Sequence, residues 1–221
     1  HLPHGTDVVE AGEVAAAAAA KAYEQGGKPI VLPTIPFGNN GQQLDQVATI
    51  HCSTNTARAI LRDVALSLNK QGIDRLVILN GHGGNEFKPL VRDLQLEFDL
   101  LVVVVNFWAA GEAVYESVFE ETTGDHANEM ETSLLMYLRP DWVVMEQAGP
   151  GAKVPMKLTS ISKAGGWTPR PWSHVHPDTG SGDPSAATPE KGRVFFEAVV
   201  DNLAPMLVEL SNAQKGDVPY V

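Results

Sequence analysis

A chain of 221 residues with 43% hydrophobic and 19% charged side chains has enough apolar material for a folded core, and it is neither disordered nor fibrous. Its net charge of −11 opposes a polyphosphate backbone, so no nucleic-acid partner is expected. Its most apolar runs, residues 15–20 and 100–105, fall far short of the ~20 residues that cross a bilayer, so no membrane anchor is expected. One cysteine, Cys52, excludes an intrachain disulfide and a cysteine-rich zinc site, and it points to a reducing, cytoplasmic compartment.

The chain opens His1-Leu2-Pro3-His4-Gly5-Thr6-Asp7, with neither an initiator Met nor the basic and apolar regions of a secretion signal, and reads as an N-terminally truncated piece. An Ala-rich run over residues 8–23 predicts a helix stopped by Gly26 and Gly27. Residues 29–33 read as a short buried strand and 36–46 as a surface loop. Ser53 or Thr54 can cap a second helix carrying Ile60, Leu61, Val64, Ala65 and Leu68 at helical spacing, with Gly72 ending it.

Residues 75–80 are β-type and lead into Gly81-His82-Gly83-Gly84-Asn85, after which a third helix is expected. Residues 100–106 read as a parallel strand buried on both faces. A helix over about 128–138, a strand over 142–145, a long functional loop over 149–189 and a last helix over 191–210 complete the reading. The alternation of strands and helices predicts one α/β domain over residues 1–221, with a mostly parallel sheet covered by helices on both sides. Its site is expected at the C-terminal strand ends.

Three clusters carry metal-ligating chemistry: Asp7, His82 in the glycine loop, and Asp125-His126 with Glu129 and Glu131. A divalent zinc, manganese or iron site needs neutral imidazole and ionised carboxylate with an open position for water. Glycines around His82 let the backbone approach an ion or a substrate, which makes Gly83, Gly84 and Asn85 candidate substrate contacts. The same loop could instead be an ordinary turn or an anion cradle at a helix start.

Glu131 shares a helix face with Leu134, Leu135 and Leu138, so its charge must be neutralised, paired or bound to a cation. Glu129 lies about 200° around that helix at ~100° per residue, which places one of the two glutamates at the surface. His126 can supply a proton, and Glu129 stands beside it as the second catalytic candidate. In the 149–189 segment His174 and His176 would share one face of a strand, and Trp167 and Trp172 could wall a pocket or pin the loop; Trp167 and His174 are the candidates for substrate contact.

The segments His1-Leu2-Pro3-His4-Gly5-Thr6-Asp7, Asn80-Gly81-His82-Gly83-Gly84-Asn85 and His126-Ala127-Asn128-Glu129-Met130-Glu131-Thr132-Ser133 resemble, in order, the three signature segments of the creatininase (creatinine amidohydrolase) family. Gly182-Asp183-Pro184, with Ala187-Thr188 and Lys191-Gly192, resembles the family's segment before its last helix. The resemblance implies a three-layer α/β/α sandwich, a homo-oligomer (a hexamer), and two divalent ions bridged by an aspartate and a hydroxide. It aligns Asp7 with that aspartate, and His82 and Glu131 with further ligands.

A family Glu-x-His-Gly pattern would lie just upstream of His1, so the N-terminal strand and part of the metal motif are expected to be missing. Gly83-Gly84 stand where creatininase proper has a Tyr-Glu pair, and Gln43 where many relatives have histidine, which turns the expectation away from creatinine. The implied reaction is hydrolysis of a C–N amide bond in a small cyclic amide, formamide or related substrate. A non-catalytic small-molecule or anion-binding protein on the same fold is the alternative.

Overall fold

In the computed structural model, which describes residues 1–214, 216–217 and 219–220, the elements in chain order are α1 (Thr6–Glu24), α2 (Thr54–Lys70), β1 (Arg75–Asn80), α3 (Phe87–Leu94), β2 (Leu101–Asn106), α4 (Phe107–Ala110), α5 (Glu112–Val118), α6 (Glu129–Leu138), α7 (Thr159–Lys163), α8 (Trp172–Val175) and α9 (Pro189–Asn212). Short 3-10 turns occupy Gly41–Gln43, Pro140–Trp142 and Met145–Gln147. The chain divides into two units. One comprises His1–Thr6, Asn40–His51 and Tyr115–Val194, the other Asp7–Asn39, Cys52–Val114 and Phe195–Val221.

The second of these units holds the sheet. Strands β1 and β2 run parallel in register, from Arg75 beside Leu101 to Asn80 beside Asn106. Leu61, Ala65, Leu90, Val91, Leu94, Leu100 and Val102 form its buried cluster, against which Leu76, Ile78 and Val104 pack. Side chains alternate along a strand, so Val77, Leu79, Val103 and Val105 turn to the opposite face. Helix α2 begins where the Ser53 side chain accepts a hydrogen bond from the Thr56 amide. It ends in a Schellman turn at Gly72 (φ 78°), with Ile73 N–H donating to Leu68 and Gly72 N–H to Asn69. Helix α1 stops the same way at Gly26 and Gly27, as its sequence predicts.

The other unit is built around α6, whose residues 129, 130 and 132–135 are all buried. Asn128 caps it by accepting the Glu131 amide at 3.2 Å. A Cβ on Gly192 would lie 2.0 Å from the Ser133 carbonyl, so the start of α9 can lie against α6 only because that residue is glycine. Glu129 is fully buried. One oxygen accepts from the backbone amides of Glu120 and Glu121 at 2.8 and 2.7 Å, and the other pairs with the Lys191 ammonium. Glu129 therefore clamps the 119–121 loop and the start of α9 to α6.

Two expected strands are not strands. Residues 29–33 run without sheet pairing, and Ile30 is 78% exposed. Pro29 and Pro33 lack the N–H groups a ladder requires. At residues 142–145 the chain forms two 3-10 turns, the first opened by Pro140. The 149–189 segment carries the short helices α7 and α8 and is pinned by an antiparallel bridge between His126 and Ser181.

Replacing Glu129 with Ala leaves two loop amides without their acceptor and takes one of three acceptors from the Lys191 ammonium, which keeps Glu120 and the Ala186 carbonyl; this should cost about 2–3 kcal/mol in denaturant unfolding. A loss below about 1 kcal/mol, the scale of an exposed ion pair, would contradict the clamp.

Candidate active site

His82 sits two residues beyond the end of β1, at the edge where ligands gather in parallel sheets. A network of asparagines holds its loop. Asn80 Nδ2 donates to Asn106 Oδ1 and to the His82 carbonyl, each at 2.9 Å, and Asn80 Oδ1 accepts from the His82 amide at 3.2 Å and from Asn85 Nδ2 at 3.0 Å. Asn85 Oδ1 in turn accepts from the Asn39 amide at 2.9 Å. Both ends of the Asn85 amide thus serve the scaffold. Helix α3 starts at Phe87, two residues later than an anion cradle at Asn85 requires, and its N-cap Glu86 makes no side-chain cap.

Within this framework His82 Nδ1 lies 2.9 Å from Asp7 Oδ2, and Nε2 lies 3.2 Å from the Asn39 carbonyl. A neutral imidazole that donates from Nε2 to that carbonyl offers the Nδ1 lone pair toward Asp7. That is how a metal-ligating histidine is commonly oriented. Two ligand atoms 2.9 Å apart suit one ion, because bonds of ~2.1 Å meeting near a right angle place ligand atoms about 3 Å apart. The residues present fit a divalent cation.

Close packing sets these positions. A Cβ on Gly81 would lie 2.9 Å from the Asp7 carbonyl, and one on Gly84 would lie 2.4 Å from the Asn39 carbonyl and 2.5 Å from His82 Nε2. Gly83 is exposed, and a Cβ there would meet nothing within 4 Å. The sequence reading missed Glu10, a fully buried carboxylate one helical turn after Asp7 on α1. Ligand oxygens of Asp7 and Glu10 lie within 4.8 Å of each other. The signal was present as the i, i+3 spacing of two acids at a helix start.

The other candidates belong to the unit around α6. Glu131 is half-buried and accepts the Ala127 amide, at a residue whose φ of 49° folds the backbone back toward the helix. The expectation that Glu129 or Glu131 lies at the surface is not met, since Glu129 is fully buried and Glu131 is half-buried. Glu129 has both oxygens engaged in the clamp described above, which gives it a structural task in place of the expected proton transfer.

His126 packs edge-on against Trp172, with centroids 5.0 Å apart and planes at 87°. Trp172 is buried and its indole N–H donates to the Thr179 carbonyl, so it pins the segment. Trp167, in contrast, is 81% exposed, and His174 is exposed on α8. The helix, within a segment expected to be a long loop, separates His174 from His176, and the buried pair is Trp172 and His176. Burial first, and the Arg170 charge second, push the His176 pKa below its ordinary value of 6.5. Partial burial would raise the Asp125 carboxyl, but hydrogen bonds from Arg170 and Ser181 bring it below its usual range.

An α/β chain with imidazole and carboxylate donors at the end of a parallel sheet has the make-up of a metal-dependent hydrolase. Residues 1–207 match the creatininase (creatinine amidohydrolase) family model, and the chain belongs to that family. It is 30% identical over 212 residues to a mycofactocin precursor peptide peptidase of Mycobacterium ulcerans, covering 91% of this chain and 76% of that protein. Its fold superposes with a TM-score of 0.92 on a Bacteroides fragilis protein assigned as a creatinine amidohydrolase, at 35% identity over 98% of this chain and 86% of the other. A zinc–zinc form of a creatininase variant shares the fold at 23% identity and a TM-score of 0.78, over 96% of this chain and 86% of that one. Family membership makes the chain a hydrolase and sets aside the non-catalytic binder.

Gly84→Ala should drive His82 away from Asp7 while leaving the sheet intact. Its bound divalent metal, measured by elemental analysis after zinc loading, should fall at least tenfold with a near-native melting temperature; unchanged metal would contradict the packing argument.

Proposed function

We propose that the protein hydrolyses a C–N amide bond in a small cyclic amide, formamide or related substrate, using two divalent ions, zinc, manganese or iron. Asp7, His82 and Glu131 are the ligands supplied by this chain. The observation that carries the reading is the 2.9 Å approach of His82 Nδ1 to Asp7 Oδ2, with Nε2 turned to a backbone carbonyl. Glu10, buried a turn away from Asp7, adds a further carboxylate to that side. Bound ions would bring the pKa of a water toward neutrality and polarise the scissile carbonyl.

The chain's own residues do the rest. Asp7 holds its carboxylate in the first turn of α1, on the side of His82. His82 is kept neutral at Nδ1 when it donates from Nε2 to Asn39, so it presents a lone pair rather than a proton. His126 delivers a proton to the departing nitrogen, and His176, whose pKa is depressed, stays neutral beside the same Trp172 ring. Gly83 is the exposed backbone of the loop and can approach a substrate closely.

A second reading, cleavage of a peptide bond, is favoured by the similarity to the mycobacterial peptide peptidase. The two share one chemistry and differ in substrate size. Assembly into a homo-oligomer and a cytoplasmic location complete the proposal; no helix among the described residues is long and apolar enough to cross a membrane.

Metal-stripped protein should be inactive on a panel of creatinine, formamide, a small lactam and short peptides, and it should recover on adding zinc or manganese. His82→Ala should lose metal and at least a hundredfold in kcat/KM together. Full turnover of the metal-free protein would refute the mechanism.

A further inference from the structure

Arg170 stands at the centre of the histidine cluster without being one of the groups assigned above. Its Nη1 donates to Asp125 Oδ1 at 2.9 Å and to His176 Nε2 at 3.3 Å. The guanidinium carbon lies 4.6 Å from the centre of the Trp172 ring, within cation–π range. The Arg170 amide donates to Gln42 Oε1 at 3.1 Å, which fixes the backbone from which the side chain reaches. One side chain therefore touches the residue preceding His126, the ring against which His126 packs, and His176.

Arginine has no acceptor and does not lose its proton in proteins. The contact with His176 Nε2 is a hydrogen bond only if Nε2 is the acceptor, and a neutral imidazole that accepts at Nε2 carries its proton on Nδ1. His176 is fully buried, and its Nδ1 makes no close hydrogen bond among the described residues, the Gly180 backbone being only a weak partner of the ring. The Gly180 carbonyl is the smallest of the influences on the ring.

We propose that Arg170 is the positioning residue of the proton-transfer pair: it places the single proton of His176 on Nδ1, and through its ion pair with Asp125 and its stack on Trp172 it holds the His126 ring in orientation. This rests on the amide-hydrolase reading for its consequence in turnover, but the proton position is a property of the resting protein. The charged groups acting on His176 are Arg170 and Lys153, which disfavour its protonation, and Asp125, which favours it. Removing the Arg170 charge therefore moves protonation of His176 to higher pH, and the acid-side fall of activity should move up with it.

The test uses the zinc-loaded full chain with 15N-labelled histidine. In the unsubstituted protein the His176 nitrogens should report the Nδ1–H tautomer when neutral, with protonation at lower pH than an ordinary histidine. Arg170→Met should convert it to a tautomer mixture that titrates at higher pH. Its kcat on the best substrate of the amide panel should fall by about 10- to 100-fold, within the range that positioned proton transfer supplies, with KM and bound zinc little changed. Arg170→Lys keeps a cation for Asp125 and Trp172 but not the fork, so it should remain folded, lose the single tautomer and recover part of the rate. An unchanged tautomer and acid limb in both variants would overturn the proposal. Failure of the unsubstituted protein to cleave any amide of the panel would instead count against the reaction assigned above, while the nitrogen spectra would still decide the role of Arg170.

Discussion

The approach of His82 to Asp7 is the constraint on which the rest of the site depends. It joins the first turn of α1 to the second residue after β1, two places 75 positions apart in sequence, at 2.9 Å. Holding an imidazole and a carboxylate that close requires the backbones behind them to be closer than side chains usually permit. Gly81 lies where any Cβ would meet the Asp7 carbonyl, and Gly84 where one would meet His82 and Asn39. The asparagines at the ends of the two strands, Asn80 of them buried, then tie the loop through four hydrogen bonds, so the imidazole is fixed from its backbone outward. Preorganised donors of this kind suit an ion, which tolerates little misplacement of its ligands.

A different principle builds the unit around α6. Its helix is buried nearly all round, and polar residues within it are paired inside the fold: Thr132 with the His1 ring at 2.9 Å, Ser133 with the Thr188 amide at 3.1 Å, Glu129 with Lys191. Truncating any one partner exposes the cost of the other, which is why such groups rigidify a site more than they stabilise it. The Arg170 cluster follows the same logic with aromatic surfaces added. Trp172 presents its ring to His126, His176 and Arg170 at once, so one buried side chain joins the three polar groups of the cluster.

Much of this was legible in the sequence. The glycine stops of α1 and α2, the Ser53 cap and the parallel strands at 75–80 and 101–106 follow from local chemistry that tertiary structure did not override. The motif residues were visible as well, because a histidine between glycines after a strand has few ordinary uses. What could not be read was the pairing. Periodicity put Glu129 and Glu131 on different faces, but a helix buried nearly all round has no solvent face to assign, so both are at least half-buried. His174 and His176 were weighed as strand neighbours, whereas the four-residue helix α8 sends His174 to solvent and His176 inward. The scaffold role of Asn85 was hidden because nothing in one sequence announces that Asn39, 46 residues earlier, takes its side chain. The two expected strands failed for a simpler reason, since prolines at their edges withhold ladder donors.

The most direct test of the central claim is anomalous X-ray diffraction from crystals of the protein grown with manganese, with data collected on both sides of the metal edge. The account predicts anomalous density within bonding distance of Asp7 Oδ2 and His82 Nδ1, with Glu131 among the ligands. Manganese bound away from those residues, or no anomalous density in crystals whose protein binds manganese in solution, would contradict it.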